Sequence, residues 1–244
     1  MIAIVLQARM DSSRLPGKSL LPLGMHSLGA RPLIFRVMEA LNHVPANLRI
    51  LACPEDSAGS FAPLAEEAGF DLFTGPKEDV LERYCMVIRH FNITQVIRAT
   101  GDNPFVFADA AAAITAEAMA LGADYAGYSG LPLGAGVEAV NAAALLCAGT
   151  EAAVPFEREH VCPFLYTHPE QFLLHRPLAP LRWQGQQRPA VRLTVDTPQD
   201  YERAQALYAA LEKLRNEGNL SAAESYRGTA ILNTYREIFP EAAV

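Results

Sequence analysis

The chain has 244 residues, half of them hydrophobic, which suits one α/β domain with room for at most a small appendage. Its net charge of −7 excludes a general nucleic-acid binder, because no surplus of cations exists to neutralise a phosphate backbone. The four cysteines, Cys53, Cys85, Cys147 and Cys162, are widely spaced with no C-x-x-C, and read as isolated core thiols in a reducing compartment rather than as disulfides or zinc ligands.

The first element is the apolar run Ile2 to Leu6, which fits a strand buried on both faces in the middle of a parallel sheet. No basic n-region precedes it and no small-residue cleavage site follows. A cytoplasmic protein without a secretory signal is therefore expected. At Gln7 the composition inverts into a polar loop, Gln7 to Lys18, that carries Arg9, Arg14 and Lys18. Open α/β sheets bind ligands beyond the carboxyl ends of their strands. Loop N–H groups, helped by Arg and Lys, can hold a triphosphate there. Composition alone leaves a solvated basic turn as an equal reading. A Walker P-loop is excluded, because its opening glycine falls on Ser12.

Downstream, Pro32 opens a helix with Leu33, Ile34, Val37, Met38 and Leu41 at helical spacing. A strand is expected at 48–53, a short helix at 61–69 weakened by Pro63, and a brief strand at 71–73. Asp79 caps or begins a helix whose apolar face is Val80, Leu81, Tyr84, Val87, Ile88 and Phe91. Strand 95–99 ends at Thr100-Gly101-Asp102-Asn103-Pro104, again a polar group after an apolar strand. A helix follows at 108–121 and a strand-like piece at 124–128. The Ala-rich segment 105–128 is the one membrane suspect, but Asp109, Glu117 and Asp124 interrupt it and favour a buried helix. The alternation so far implies a Rossmann-like, mostly parallel sheet with helices on both faces.

After Ser129 the rhythm changes. Gly130, Pro132, Gly134 and Gly136 make a loop-rich passage leading into Val137 to Val140. Helices are expected near 141–148 and from about Phe156, strands at 172–175 and 188–195, a long helix at 199–214 opened by Pro198, and a last helix around 231–238. No internal repeat is present, and no linker separates two domains. His26, His43, His90, His168 and His175 show no metal-type pairing.

Three stretches carry the chemistry, and each has a bland alternative. Asp102 suits an Asx-type turn before Pro104 or a Mg²⁺ ligand, since Mg²⁺ takes one or two carboxylates plus phosphate oxygens. Asp196, in Val195-Asp196-Thr197-Pro198, suits a helix N-cap, with Asp196 or Thr197 capping a helix that has Pro198 in its first turn. Glu157-Arg158-Glu159-His160 suits a solvated first turn.

The loop Leu6-Gln7-Ala8-Arg9-Met10-Asp11-Ser12-Ser13-Arg14-Leu15-Pro16-Gly17-Lys18 resembles the N-terminal signature of the sugar-activating nucleotidyltransferases. Within them it is most similar to the spore-coat polysaccharide cytidylyltransferase-like proteins, and more distantly to CMP-KDO synthetase. The resemblance spans about residues 2–214 and implies the glycosyltransferase-A type of nucleotide-sugar fold. It implies Arg9 and Lys18 as the catalytic cations on a triphosphate, with Gln7, Ala8, Ser13, Arg14 and Gly101 also at the nucleotide. Gly75, Pro76, Asp79 and Arg98 would border the base. Asp102 lies in a Gly-Asp-x-Pro motif and Asp196 in a Val-Asp-Thr-Pro motif that imply a shared Mg²⁺ site. Glu138, Arg158 and His160 would face the acceptor. The family's Gly-Leu-Asp-Val-Glu is here Gly134-Ala135-Gly136-Val137-Glu138, which lacks the carboxylate at position 136 and bears on the acceptor's identity.

What the resemblance implies is a Mg²⁺-dependent cytidylyltransferase that uses CTP to activate a sugar or sugar acid for cell-surface glycans. Residues 129–190 would form an acceptor-binding and dimerisation insertion, and the chain would be a homodimer with no nucleic-acid or membrane partner. Two alternatives stay open: a glycosyltransferase on the same fold, for which the usual D-x-D motif is missing, and a catalytically silent nucleotide-binding protein.

Overall fold

The computed structural model describes residues 1–25, 27, 29–185 and 191–240. In chain order they form β1 (Ile2–Gln7), a small antiparallel ribbon of β2 (Pro22–Leu23) and β3 (Arg31–Pro32), α1 (Leu33–Leu41), β4 (Leu48–Pro54), α2 (Glu55–Ala68), β5 (Asp71–Gly75), α3 (Val80–Phe91), β6 (Gln95–Thr100) and α4 (Ala108–Leu121). Then come β7 (Tyr125–Ala126), β8 (Glu138–Asn141), α5 (Ala142–Glu151), α6 (Pro155–His160), α7 (Pro163–Thr167), β9 (Leu174–His175), α8 (Pro198–Asn216) and α9 (Gly228–Ile238).

Seven strands make one sheet in the order β5-β4-β1-β6-β8-β7-β9. The first four run parallel. Direction reverses at β8, which is antiparallel to both β6 and β7. β1 is central, and its period-2 alternation divides the core. Ile4 and Leu6 face a cluster with residues of α1, α2, α4, α8 and α9, whereas Ala3 and Val5 face one with α3, α5 and α7. Both sets are fully buried, which is why this strand reads as a continuous apolar run.

Three expectations need correction. The helix expected at 61–69 begins at Glu55, with Pro63 inside it. Its first turn is polar and mostly exposed, so apolar spacing does not mark it. The passage 137–140 includes a strand, β8, which takes the place beside β6. The strand expected at 188–195 is not in the sheet. Arg188 lies outside the described residues, as does His26, and the only β-bridge of Val191 to Val195 among the described residues is the isolated one from Leu133 to Arg192. With β8 beside β6, that segment runs over the strand ends instead. The Ala-rich segment forms α4 against the core, and no helix among the described residues is long and apolar enough to cross a membrane.

Helix α8 starts firmly. Thr197 accepts from the Asp200 N–H, the Thr197 N–H donates back to the Asp200 carboxylate, and Pro198 occupies the first turn. Burial alone would raise the Asp200 carboxyl, but hydrogen bonds from Arg192, Thr197 and the Asp196 N–H hold it down to about 2. This cap fixes the residue just before it, Asp196.

Candidate active site

A cleft of about 350 Å³ opens at the carboxyl ends of β1 and β6. Two backbone bonds close its floor. The Gly101 N–H donates to the Gln7 carbonyl at 2.9 Å, and the Ala8 N–H to Ala52 at 3.2 Å. A Cβ on Gly101 would stand 2.9 Å from that of Ala8 and 3.0 Å from Ile34, so only glycine lets the two strand ends meet. The loop after β1 is pinned from inside by the Ser19 hydroxyl donating to the Arg9 carbonyl at 3.2 Å, and by the Met10 N–H donating to Ser57 at 3.2 Å.

Lys18 is the hub. Its Nζ donates to Asp102 Oδ2 at 3.1 Å, to Asp196 Oδ1 at 3.0 Å and to the Val195 carbonyl at 2.8 Å. One ammonium therefore joins two carboxylates that lie far apart in sequence. Asp102 also accepts from the Thr100 hydroxyl at 2.8 Å, and Asp196 accepts from Arg14 at 3.0 Å and Arg192 at 2.9 Å. Asp196 reaches this corner without a strand beside β6. The Leu193 N–H donates to the Leu133 carbonyl at 2.8 Å, and the Val195 N–H to the Asp102 carbonyl at 2.8 Å, which draws the segment onto the Asp102 turn.

Among the described residues no group of three or more His, Cys, Asp or Glu side chains is arranged to hold a metal ion. Two carboxylates at a phosphate-sized cleft nevertheless fit Mg²⁺, which completes its octahedron with phosphate oxygens and water rather than with an all-protein cage.

A second cavity, of about 360 Å³, shares Arg98 and Thr100 with the first. Arg98 is the wall between them. Its Nε donates to Gln7 Oε1 at 3.1 Å, and its Nη1 bonds Glu138, which also accepts from Tyr125 at 2.8 Å. Burial works against the Arg98 charge, but Glu138 more than compensates and holds its pKa above the ordinary value. The far side of this cavity has Tyr128, Arg176 and the 131–137 loop, including Gly136.

Of the residues singled out in the sequence, Gln7, Ala8, Arg9, Ser13, Arg14, Lys18, Arg98, Gly101, Asp102, His160 and Asp196 line the first cleft. Glu138 lines the second. His160 ends α6 just before Val161, a buried β-branched residue at a φ of 72°. That strained turn fixes where Glu159 and His160 meet the cleft. Gly75, Pro76, Asp79 and Arg158 line neither cavity. Asp79 caps α3 by accepting from the Glu82 N–H at 2.9 Å and also accepts from Arg158 at 2.7 Å. Sequence reasoning missed Arg83, Val80 and Thr100 in the first cleft and Arg176 in the second. Thr100 alone had a signal, standing two residues before Asp102.

A family model described as cytidylyltransferase matches residues 2–226. The spore coat polysaccharide biosynthesis protein SpsF of Bacillus subtilis is 34% identical over 226 residues, 91% of each chain. A cytidylyltransferase structure from Leptospira borgpetersenii superposes with a TM-score of 0.83 at 22% identity, over 99% of this chain and 95% of that one. A structure of CMP-2-keto-3-deoxy-manno-octonic acid synthetase complexed with CTP superposes with a TM-score of 0.64 at 17% identity, over 84% and 97%. At such identities the two structures bear on the fold, which is that of the nucleotidyltransferases.

Proposed function

The chain belongs to the cytidylyltransferase family and is a nucleotidyltransferase, and from that premise we propose that it transfers CMP from CTP to a sugar or sugar acid used in polysaccharide synthesis. The observation that carries this reading is the junction of two cavities at Arg98 and Thr100, with Arg9, Arg14 and Lys18 gathered around the carboxylates Asp102 and Asp196 in the first. A triphosphate fits the first cavity and a sugar-sized acceptor the second.

An acceptor oxygen held in the second cavity attacks the α-phosphorus, and the bond to the bridging oxygen of the β-phosphate breaks, releasing pyrophosphate. Such transfer needs positioning and charge stabilisation more than covalent help from the protein. Arg9, Arg14 and Lys18 meet the phosphate charges, with Lys18 turning from the carboxylates toward the departing pyrophosphate. Asp102 and Asp196 are the residues that would hold Mg²⁺, which when bound supplies charge neutralisation at the reacting phosphate. The Gln7, Ala8 and Gly101 backbone forms the floor beneath the nucleotide. Glu138, fixed by Arg98 and Tyr125, offers acceptor hydroxyls a carboxylate. No thiol is needed, and burial pushes the Cys53 and Cys85 thiols up to about 11, away from reactive use.

The test is donor selectivity. With Mg²⁺ present, CTP is expected to raise the melting temperature more than ATP, GTP or UTP. Binding at ~100 times the dissociation constant contributes roughly 2.7 kcal/mol, a readily seen shift. Pyrophosphate release over a panel of sugar acids then identifies the acceptor. Equal shifts with all four nucleotides would remove the cytidylyl assignment.

Residues 129–190 serve on this reading as the acceptor-binding and dimerisation region of a cytoplasmic homodimer. Exposed Val154, Phe156, Leu173, Leu178 and Leu181 support that role. Sedimentation at micromolar concentration is expected to show a dimer, and a monomer there would refute it.

A further inference from the structure

Arg83 is 2% exposed, and its side chain makes no hydrogen bond or ion pair among the described residues. Its Nε and Nη1 are both buried without an acceptor, yet the residue lines the first cleft. A buried guanidinium left so is costly, unless a ligand supplies the missing acceptors.

The surroundings keep it unpaired. Its acidic neighbour, Asp79, is engaged by the α3 N-terminus and by Arg158. Burial keeps the nearby Cys53 thiol and Tyr84 phenol neutral, and Arg9 adds only repulsion. Burial likewise lowers the pKa of Arg83 itself. The stem is held in place, because it runs along Gly75, where a Cβ would stand 3.0 Å from the Arg83 Cγ.

Position then indicates what the missing acceptors belong to. The strand order β5-β4-β1-β6 sets the α3 side and the Asp102 side of the cleft on opposite flanks of β1. Phosphates at Lys18, Asp102 and Asp196 leave the nucleoside end of a bound nucleotide toward Arg83. We propose that Arg83 reads the base: its free N–H groups donate to O2 and N3 of cytosine. This rests on the cytidylyltransfer reading above and gives that reading its source of selectivity. Cytosine presents O2 and N3 as adjacent acceptors. Uracil carries a proton on N3, and an arginine has no acceptor to receive it. A buried donor left facing a donor discriminates strongly.

The test measures dissociation constants for CTP, UTP and 3-deaza-CTP, which lacks the N3 acceptor, with Mg²⁺ and the full chain as wild type, Arg83→Met and Arg83→Lys. Wild type is expected to bind CTP about 10- to 100-fold more tightly than the other two, the range of a hydrogen bond to a charged group. Arg83→Met is expected to bind all three alike. Arg83→Lys, which keeps charge without the planar fork, is expected to lose most of the preference. Equal binding of CTP and 3-deaza-CTP by wild type, or an undiminished preference for CTP in the variants, would overturn the role of Arg83 while leaving nucleotidyl transfer standing. Wild type that binds no nucleoside triphosphate and releases no pyrophosphate would overturn the donor reading instead. Should neither variant fold, the wild-type comparison of CTP with 3-deaza-CTP decides alone.

Discussion

Asp102→Asn is expected to slow pyrophosphate release by about a thousandfold or more, and Asp196→Asn by a similar factor, the scale seen when charge stabilisation at a reacting centre is lost. Both carboxylates meet the same ammonium, Lys18 Nζ, at 3.1 and 3.0 Å, so they serve one place rather than two. Removing both is therefore expected to cost little more than removing either, as for groups acting as a unit. Folding should survive. The amide keeps the volume of the carboxylate, and its remaining oxygen can still accept from Lys18. A shift of only a few degrees in melting temperature is expected for a chain this long, roughly 2–4 °C per kcal/mol. Turnover near the wild-type rate in either variant would sink the role assigned to the pair.

Gly134→Ala is expected to damage both stability and rate through the segment that carries Asp196, beyond any change to the lining of the second cavity. Its φ is +92°, a region that side chains avoid. A Cβ there would stand 2.4 Å from the Thr194 nitrogen and 2.8 Å from the Leu193 carbonyl carbon. Those are backbone atoms and cannot swing aside. The strand-like contact between 133 and 192 would have to open, and Asp196 rides on the same segment. Stability is expected to fall by about 3 kcal/mol or more, combining the backbone penalty with overpacking. Misplacing Asp196 by ~1 Å is enough for roughly a hundredfold loss of rate. Gly59→Ala is the contrast, since nothing lies within 4 Å of a Cβ in that helical position. It is expected to leave rate unchanged and to add up to about 1 kcal/mol. A wild-type melting temperature in Gly134→Ala would show that the segment is not packed as described.

Where burial follows simple periodicity, the sequence already announces the fold. Ile2 to Leu6 is apolar throughout because both faces are covered, and α4 runs 108–121 as its spacing suggests. The cationic loop was legible because cations crowd a strand end. β8 was not, because Glu138 breaks its apolar run and its direction is set by the long loop before it. The expected strand at 188–195 differs from the structure for a related reason: β8 fills the slot beside β6, and Asp196 arrives on a segment held by loop-to-loop hydrogen bonds. Arg83 lay hidden because an arginine on an amphipathic helix ordinarily snorkels to water. Only packing against Gly75, and the diversion of Asp79 to Arg158, reveal that its guanidinium stays inside.

The reversal of strand direction at β8 is also a seam in the design of the enzyme. On one side lie the parallel strands, the Gln7–Lys18 loop and Arg83, which line the proposed nucleotide cleft. On the other lie β8, β7 and β9, and residues of β8, β7 and the glycine-broken loop line the second cavity. Arg98 and Thr100 are the shared boundary. On the proposed function, changes beyond that boundary would exchange one sugar for another while the nucleotide half stays fixed, much as interchangeable heads fit one handle. Gly136 lies on that side of the boundary, lining the second cavity.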